Sequence, residues 1–397
     1  MYTQYRMKRS FLSKAAYGAM CAAATFAAAS CASQDSQTKL TASGLDPENF
    51  KAEFRGDSTA LYVLTNEAGM EACIINFGGR LVSLMVPDKD GNIKDVVLGF
   101  DNVEAYFPEN NLSDMGSSVG RYANRINRGR MVIDGDTAVL PQNDFGHCLH
   151  GGGEMGSLGW QYRVYKASQP NDSTLVLTLH SPDGDNGFPG TVDATVTYTL
   201  RSDNALDISY EASTDKPTEI NMTNHAYFNL TGNPEKKITD LILTVDADRN
   251  TPLDSTYMTT GEEVIVAGTP FDFNTPHAVG ERIAEPECEQ LAFGNGYDHN
   301  FILNTRGNLS LPAAELFCPE TGIRLTVFTI EPGLQVYSGN FLDGSYVGKG
   351  GTKYEQRTGI CLETQHFPDT PNKPQWPSSR LNPGEKYQSR TIYKFTR

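Results

Sequence analysis

The chain has 397 residues, of which 39% are hydrophobic and 20% are charged, with 37 glycines and 21 prolines. This composition is typical of a globular protein rich in turns, and it excludes disordered, collagen-like and coiled-coil chains. The 33 basic and 48 acidic side chains give a net charge of −15, and such a surface repels the phosphate backbone of nucleic acids.

The first 31 residues form a separate type of sequence. A basic start is followed by an Ala-rich stretch and then by small residues, and no acidic residue precedes Asp35. This order is typical of a secretory signal peptide. Residues 28–31 (Ala-Ala-Ser-Cys) resemble a lipobox, in which the cysteine is lipidated after cleavage. We therefore predict a periplasmic protein or a lipoprotein anchored to the membrane through Cys31; an amphipathic extension and a plain transmembrane anchor are the alternatives.

The remaining chain divides into a short tether and one large domain. Residues 32–43 are rich in Ser, Thr, Gln and Ala, which predicts a flexible tether over 32–44. No linker interrupts residues 45–397, and no internal repeat is visible, so we predict a single domain there.

Alternation of apolar and polar residues dominates this domain. In 191–200, Val and other apolar residues occupy every second position and Thr or Asp the positions between them, which predicts a half-buried antiparallel strand. The same pattern over 206–212 follows a Ser-Asp-Asn turn, so the two segments predict a hairpin. Further strands are predicted at 61–66, 71–77, 80–86, 93–99, 160–167, 173–180, 238–246, 309–317, 323–330, 333–338, 358–363 and 387–396.

Helical periodicity is almost absent. Short helical turns are predicted near 101–106 and 278–285, and all other predicted elements are strands separated by turn signals such as Asp-Gly. So many strands in one domain predict an all-β fold with two large antiparallel sheets packed face to face.

Four segments carry polar residues that strands do not need. They are Gly-Arg-Tyr-Ala-Asn-Arg-Ile at 120–126, Leu-His-Gly-Gly-Gly at 149–153, Thr-Asn-His-Ala-Tyr-Phe-Asn-Leu at 223–230 and Glu-Thr-Gln-His-Phe-Pro-Asp at 363–369. Solvated surface charges explain the first segment, taken alone, and a hydrogen-bonded core histidine explains the third. The fourth is harder to explain structurally, because Glu363 continues a buried apolar strand at a cost of several kcal/mol unless it is paired or functional.

The sequence gives little support for a metal site or for a disulfide framework. Five cysteines follow the predicted leader, with irregular spacing and no CxxC motif. His147 and His150 have an HxxH spacing, but no third ligand accompanies them. We therefore predict no metal site and no cofactor.

Together, these segments resemble the aldose 1-epimerase (galactose mutarotase) family over roughly residues 50–397. The family's motifs occur in its order and spacing: GRYANRI, LHGG, TNHAYFNL, GYDHNF, LQVYSGNFLDG, ETQHFPD and a tail with PNKPQWPSS, LNPGEKY and TIYKF. The resemblance implies a β-supersandwich that binds free hexoses such as galactose and glucose. It also implies cofactor-free interconversion of their α and β anomers by a monomer or homodimer.

The resemblance also implies roles for individual residues. Glu363 resembles the general base, His225 the general acid, and His150 a second active-site histidine near the ring oxygen. Tyr227 is expected to line the same pocket, and four residues match contacts to sugar hydroxyls: Asn124, Arg125, Asp298 and Gln335. A carboxylate suits proton removal from the anomeric hydroxyl, and an imidazolium suits proton donation to the ring oxygen. We expect the nearby carboxylate to keep His225 protonated near neutral pH.

Three other functions remain open at this stage. A non-catalytic carbohydrate-binding protein on the same fold would tolerate loss of His225 or Glu363, yet both are present. A polysaccharide lyase or glycosidase would need a second catalytic carboxylate, and Asp369, the nearest in sequence, is expected to cap a loop. An epimerase of phosphorylated sugars would need a basic phosphate pocket, which this acidic chain does not indicate.

Overall fold

A computed structural model describes residues 39–111, 113–153 and 158–397. The predicted signal peptide and most of the predicted tether lie outside the described residues. At the end of the tether, the Thr41 amide donates to the Leu45 carbonyl (3.0 Å) and the Ala42 amide donates to Glu71 Oε1 (2.7 Å). The described chain from Lys39 onward belongs to one compact unit.

The largest sheet has nine antiparallel strands. Its third and fourth strands form the predicted hairpin, in which Val192–Leu200 pairs with Ala205–Thr214 and Tyr198 lies opposite Ile208. Asn204, in the connecting turn, has φ 61°, a left-handed conformation that asparagine adopts more readily than most residues. In spatial order the strands are Lys166–Asn171, Thr174–Ser181, Val192–Leu200, Ala205–Thr214, Tyr387–Thr396, Arg324–Thr329, Ala314–Phe317, Ile242–Val245 and His277–Ala278.

A second sheet has six strands and a third has four, all antiparallel. The six-stranded sheet consists, in spatial order, of Tyr227–Phe228, Ile360–Gln365, Gly333–Tyr337, Asp298–Ile302, Arg249–Thr251 and Val264–Ile265. The four-stranded sheet consists of Leu61–Thr65, Glu71–Ile75, Arg80–Pro87 and Ile93–Asp95.

Shorter elements complete the described part of the chain. Five two-stranded pairs are Glu53–Phe54 with Asp57–Ser58, Ser118–Val119 with Thr223–Asn224, Arg125–Ile126 with Cys148–Leu149, Arg130–Ile133 with Asp136–Val139, and Thr218–Glu219 with Arg380–Leu381. One α-helix spans Glu289–Gly294. Single 3₁₀ turns lie at Pro47–Phe50, Glu104–Tyr106, Asn127–Gly129, Trp160–Tyr162, Asp185–Gly187, Ile238–Asp240, Lys349–Gly351 and Thr370–Asn372.

The main hydrophobic core lies between the nine-stranded and six-stranded sheets. Alternate residues of the nine-stranded sheet, such as Val196 and Ile208, belong to the same buried cluster as Leu334, Val336 and Leu362 of the six-stranded sheet. The all-β architecture with two large packed sheets is therefore as predicted. One face of the six-stranded sheet packs in this core, so the opposite face can carry a functional site.

Several of the predicted elements are wrong in part or in whole. The strands predicted at 238–246 and 309–317 begin only at Ile242 and Ala314, and Ile238–Asp240 forms a 3₁₀ turn. Residues 160–162 form a 3₁₀ turn rather than the start of a strand, because Trp160 packs over Gly120, where a Cβ would lie 2.2 Å from the indole. The helical turn predicted at 278–285 is absent, and the α-helix begins instead at Glu289.

Among the described residues, no helix is long and apolar enough to cross a membrane. The five cysteines in this part of the chain, four of them buried, form no disulfide with one another: Cys73, Cys148, Cys288, Cys318 and Cys361.

Candidate active site

The six-stranded sheet forms the floor of a cavity of about 330 Å³. Side chains of a strand alternate between its two faces, so the residues between the core positions point away from the core. Asp298, Gln335 and Glu363 lie on three neighbouring strands, and Gln335 is directly opposite Glu363. The alternation that buries Leu334 and Leu362 thus brings these polar side chains together in the cavity.

All eight residues predicted to form the site line this cavity. They come from six separate segments of the chain: Asn124, Arg125, His150, His225, Tyr227, Asp298, Gln335 and Glu363. The sequence analysis did not assign ten further lining residues, which are Ser113, Asp114, Asp144, Phe145, Leu149, Tyr257, Tyr337, Phe341, Leu342 and Tyr346.

His225 and Glu363 form a buried pair of titratable side chains in the cavity. His225 Nε2 lies 3.8 Å from Glu363 Oε2, and the two residues are only 7% and 2% exposed. The backbone fixes His225 on both sides, since its amide donates to the Ser117 carbonyl (2.8 Å) and its carbonyl accepts from the Gly116 amide (2.9 Å). Tyr227 stacks against the imidazole, with ring centroids 5.2 Å apart.

Burial shifts the pKa of each of these two residues in the direction that favours its uncharged form. The pKa of His225 is lowered to about 4, chiefly by loss of solvation; a hydrogen bond to its own backbone acts in the opposite direction, and the charge of Arg80 adds to the lowering. The pKa of Glu363 is raised well above its usual range, first by burial and then by the charges of Asp298 and Asp114. The expectation that His225 stays protonated near neutral pH is therefore wrong, because burying two charges costs more than their attraction returns.

His150 is held beside His225 by a different partner. Its Nδ1 accepts a hydrogen bond from the Asn124 amide (3.1 Å), and its ring lies 5.4 Å from that of His225. In a neutral imidazole only one nitrogen carries hydrogen, so Nε2 of His150 is the N–H. Burial also lowers the pKa of His150 well below its usual value. His150 is thus a fixed hydrogen-bond donor.

The glycines after His150 serve the local fold. Gly151 has φ +71°, and a Cβ there would lie 2.8 Å from the Gly120 carbonyl oxygen and the Arg121 amide nitrogen. The glycine at 151 therefore allows a close approach to the protein's own 120–121 segment.

Arg125 is the cationic residue of the cavity wall. Its Nε donates to Asp144 Oδ2 (2.7 Å), and its guanidinium lies 5.2 Å from the centre of the Tyr257 ring. A planar guanidinium held in this way offers several N–H donors in fixed directions. Its charge also lowers the pKa of Glu363, against the larger effect of burial.

Asp298 and Gln335 form a hydrogen-bonded chain along the floor. Gln335 Nε2 donates to Asp298 Oδ1 (2.7 Å), and Gln335 Oε1 accepts from Gln365 Nε2 (3.3 Å). Gln365 Nε2 also donates to Asn300 Oδ1 (3.2 Å). The chain fixes which way the Gln335 amide faces, so the floor presents a carboxylate and an oriented amide.

Asp369 lies outside the cavity and caps a loop, as expected. Its Oδ1 accepts from the Asn127 amide (2.9 Å), and its other oxygen pairs with Lys373 (2.6 Å). The carboxylates whose charges act on Glu363 are Asp298 and Asp114 instead, which the sequence spacing could not reveal.

The only candidate metal ligands that cluster among the described residues are His150, His225 and Glu363, whose ligand atoms lie within 4.8 Å of one another. His150 is poorly suited to coordination, because the nitrogen that faces the cluster carries its hydrogen. His147, the other histidine of the HxxH spacing, is held by the Arg128 amide at Nδ1 and by Thr256 at Nε2. The residues present therefore do not fit a metal ion well.

Aromatic side chains surround the cavity mouth. Phe145 and Phe341 are more than half exposed, and Tyr257 links them with centroid distances of 5.2 and 5.7 Å. Exposed aromatic faces beside buried hydrogen-bonding groups suit a ligand with both apolar faces and hydroxyls. The fold and the cavity thus define a class of protein. It is an all-β protein whose cavity holds buried acidic and basic side chains and suits a small polyhydroxylated molecule.

The comparisons with known proteins agree with this class. The family model described as aldose 1-epimerase matches residues 60–394. The aldose 1-epimerase of Escherichia coli K12 is 37% identical over 342 residues, covering 86% of this chain and 96% of that protein. The human galactose mutarotase is 38% identical over 324 residues, covering 81% of this chain and 90% of that protein.

Solved structures give the same result. The galactose 1-epimerase of Lactobacillus acidophilus superposes with a TM-score of 0.74 at 32% identity, covering 87% of this chain and 97% of that one. An aldose epimerase homologue from C. elegans gives a TM-score of 0.77 at 29% identity, covering 85% and 99%. This chain belongs to the aldose 1-epimerase family, and it is an isomerase of that family.

Proposed function

We propose that this cavity interconverts the α and β anomers of free hexoses such as galactose and glucose, with Glu363 as general base and His225 as general acid. The observation that supports these roles is the buried pair, with Nε2 and Oε2 3.8 Å apart at the cavity. The anomeric hydroxyl oxygen and the ring oxygen are bonded to the same carbon. The base and the acid that serve them must therefore lie side by side.

The reaction needs two coupled proton transfers. Glu363 removes the proton of the anomeric hydroxyl while His225 donates a proton to the ring oxygen, and the C1–O5 bond breaks to give the open aldehyde. Rotation about the C1–C2 bond exposes the other face of the carbonyl, and the reverse transfers close the ring. Each well-placed acid or base contributes roughly 10²- to 10⁴-fold to the rate.

Ring opening moves, in net terms, one proton from His225 to Glu363 by way of the sugar. Ring opening starts from the Glu363 carboxylate and the His225 imidazolium, and it leaves a neutral carboxylic acid and a neutral imidazole. These two states hold the same number of protons, and the pKa shifts of the pair favour the uncharged one. With Glu363 as base and His225 as acid, ring opening starts from the charged state, so we infer that the sugar and Arg125 stabilise it.

The partners of the two histidines support giving the acid role to His225. His150 Nδ1 is occupied by the Asn124 N–H, so His150 cannot gain a second proton without breaking that bond. Its Nε2–H is suited to hydrogen-bond the ring oxygen or a neighbouring hydroxyl. No backbone N–H is directed at the His225 ring nitrogens among the described contacts, so His225 remains free to change its protonation state.

The remaining polar residues are proposed to hold hydroxyls that change little during the reaction. Arg125 donates from a fixed guanidinium, Asp298 accepts, and Gln335 does both from the position its hydrogen bonds define. Asn124 and Tyr227 complete the wall.

Polarimetry tests the proposal directly. Freshly dissolved α-glucose, α-galactose, xylose and arabinose are followed with purified protein lacking residues 1–31, with Glu363→Gln as the matched inactive control. We expect faster equilibration of at least one hexose, unchanged by EDTA. Spontaneous rates with all four sugars would reject the proposal, and loss of activity in EDTA restored by a divalent ion would reject the cofactor-free mechanism.

We also propose export and anchoring through Cys31, on the strength of the leader sequence alone. Mass spectrometry of the native membrane fraction should find Cys31 as a lipidated N-terminus. An intact Met1, or cleavage without lipid, would argue against the anchor. Light scattering would decide between the monomer and the homodimer that the family resemblance implies.

A further inference from the structure

The imidazole of His225 lies beside two residues of one strand, Cys361 and Glu363. Its Nε2 faces Glu363, and its Nδ1 lies 3.5 Å from the sulfur of Cys361. Cys361 and Glu363 are two residues apart in the strand Ile360–Gln365, so their side chains share one face. Cys361 is fully buried and lies opposite both Tyr227 and Tyr337.

Proton exchange at Nε2 places a requirement on Nδ1. The imidazolium carries hydrogen on both nitrogens, and when it donates from Nε2 the hydrogen on Nδ1 remains. The group beside Nδ1 must therefore accept a hydrogen bond in both states. Burial, followed by the charge of Glu363, raises the pKa of the Cys361 thiol well above its usual value, so the neighbour of Nδ1 is a neutral thiol. Its sulfur is a weak acceptor.

A hydrogen bond donated by the Cys361 thiol to Nδ1 of His225 would block the reaction. If the thiol donated to Nδ1, Nε2 would carry the only hydrogen of a neutral imidazole, as it does in His150. Release of that hydrogen would leave an imidazolate, or a thiolate if the S–H proton followed. Either anion would be buried beside Glu363, at a high cost.

We propose that Cys361 is a positioning residue of this enzyme, whose sulfur accepts the Nδ1 hydrogen of His225 and so reserves Nε2 for proton exchange with the sugar. This inference rests on the proposed acid role of His225. The two active-site histidines then hold opposite tautomers, because the tautomer of each is set by the group that contacts its Nδ1.

Nitrogen-15 NMR of the histidine side chains tests the tautomers without any sugar. At pH 7 we expect His225 to carry its hydrogen on Nδ1 and His150 to carry it on Nε2, with signals assigned from His225→Asn and His150→Asn. His150 is the internal control, since its backbone partner fixes the opposite form. A bare Nδ1 on His225 in the wild-type protein would overturn the proposal.

Kinetics of two Cys361 variants provide the second test. Cys361→Ala removes the acceptor, and we expect kcat to fall about three- to tenfold with little change in KM, the size expected for one hydrogen bond. Cys361→Ser restores an acceptor, so its kcat should return to within about twofold of wild type by the same reasoning. Cys318→Ala, a change at a buried cysteine outside the cavity, is the matched control for a small loss of core packing.

The outcomes separate this inference from the proposed function. An unchanged kcat and an unchanged His225 tautomer in Cys361→Ala would overturn the positioning role while leaving the acid–base pair intact. Equal loss of kcat in Cys361→Ala and Cys361→Ser, with the tautomer retained, would assign the cysteine to packing alone. An inactive wild-type protein would reject the proposed function, whatever the tautomer.

Discussion

The two faces of the six-stranded sheet are built from the same strands but serve different purposes. On the core face, Leu334, Val336 and Leu362 pack into the main hydrophobic cluster. On the cavity face, Gln335 and Glu363 are equally inaccessible to solvent but polar. Successive residues of one strand therefore differ in function because their side chains point to opposite faces.

The comparison teaches how the fold tolerates a buried acid. The core face supplies the free energy that keeps the sheet rigid, and the rigid sheet holds Glu363 in an environment where its charged form is disfavoured. A buried group with a strongly shifted pKa in a cavity is typical of functional sites. Changes on the cavity face should therefore alter rates, whereas changes on the core face should alter stability.

The largest expected effect is on the cavity face. Glu363→Gln keeps the shape of the side chain but removes the base, so kcat should fall by roughly 10²-fold or more with little change in KM. Polarimetric rates and the melting temperature are measured on the same preparation. A fully active variant with a lowered melting temperature would show that Glu363 is only a paired structural residue.

The neighbouring core position should give the opposite result. Leu362→Ala leaves a cavity between the two large sheets, and the free energy of unfolding should fall by about 2 to 5 kcal/mol. Activity per folded molecule at low temperature should remain close to wild type. Urea unfolding and polarimetry together check this prediction, and a loss of activity without a loss of stability would contradict the division between the faces.

The low pKa of His225 should make the free energy of unfolding depend on pH in the acidic range. Burial lowers the pKa of His225 from 6.5 to about 4, so between these values the unfolded chain binds a proton that the folded chain does not. The free energy of unfolding then decreases as the pH falls through this range, by roughly 2 to 3 kcal/mol for one such group. We expect His225→Asn to lose less stability than wild type between pH 7 and pH 4.5 in urea unfolding.

A second buried histidine provides the comparison on the core side. His299 neighbours Asp298 but contacts Phe271 of the core, and burial lowers its pKa to about 3. This group stays in the His225→Asn variant, so part of the acid sensitivity should remain. Identical pH dependence in the variant and the wild type would show that His225 is already charged in the folded protein.

The smallest predicted effect concerns the cavity wall. Arg125→Ala removes donors to hydroxyls that change little during ring opening, so KM should rise about tenfold, near 1.4 kcal/mol, with a smaller change in kcat. Asp144→Asn leaves the guanidinium in place and only loosens its partner, so it should raise KM less. A variant of Arg125 that lowers kcat alone would place this residue in the proton-transfer step.

Much of the fold could be predicted because β-strands have a simple sequence signature. The period-two alternation correctly predicted the central hairpin and the long C-terminal strand Tyr387–Thr396. The same signature misled at 160–162, where Trp160 packs over Gly120 instead of joining a sheet. The helix at Glu289–Gly294 was missed, although Asn295 in a left-handed conformation ends it; an acidic first turn and an Asn-Gly stop are signals for such a helix.

The candidate site divides in the same way. All eight predicted residues line one cavity, and they could be named because the sequence resembles the aldose 1-epimerase family, whose motifs occur here in the same order and spacing. Asp144, which orients Arg125, lies in a segment with no distinguishing pattern, and Cys361 was predicted only as an apolar strand residue, although it contacts His225. Contacts between residues far apart in the chain are decided by how the sheets pack, and such packing leaves no local signal.

The sequence by itself determined most of the strands and the all-β class, because alternation is a property of neighbouring residues, and its motifs carried the resemblance from which the acid–base pair is proposed. Only the tertiary structure decided the protonation of that pair. The expected imidazolium at His225 is disfavoured, since burial among strands from distant parts of the chain removes the water that would solvate the charge. Solvation depends on the surroundings in space, and the folded structure alone defines them.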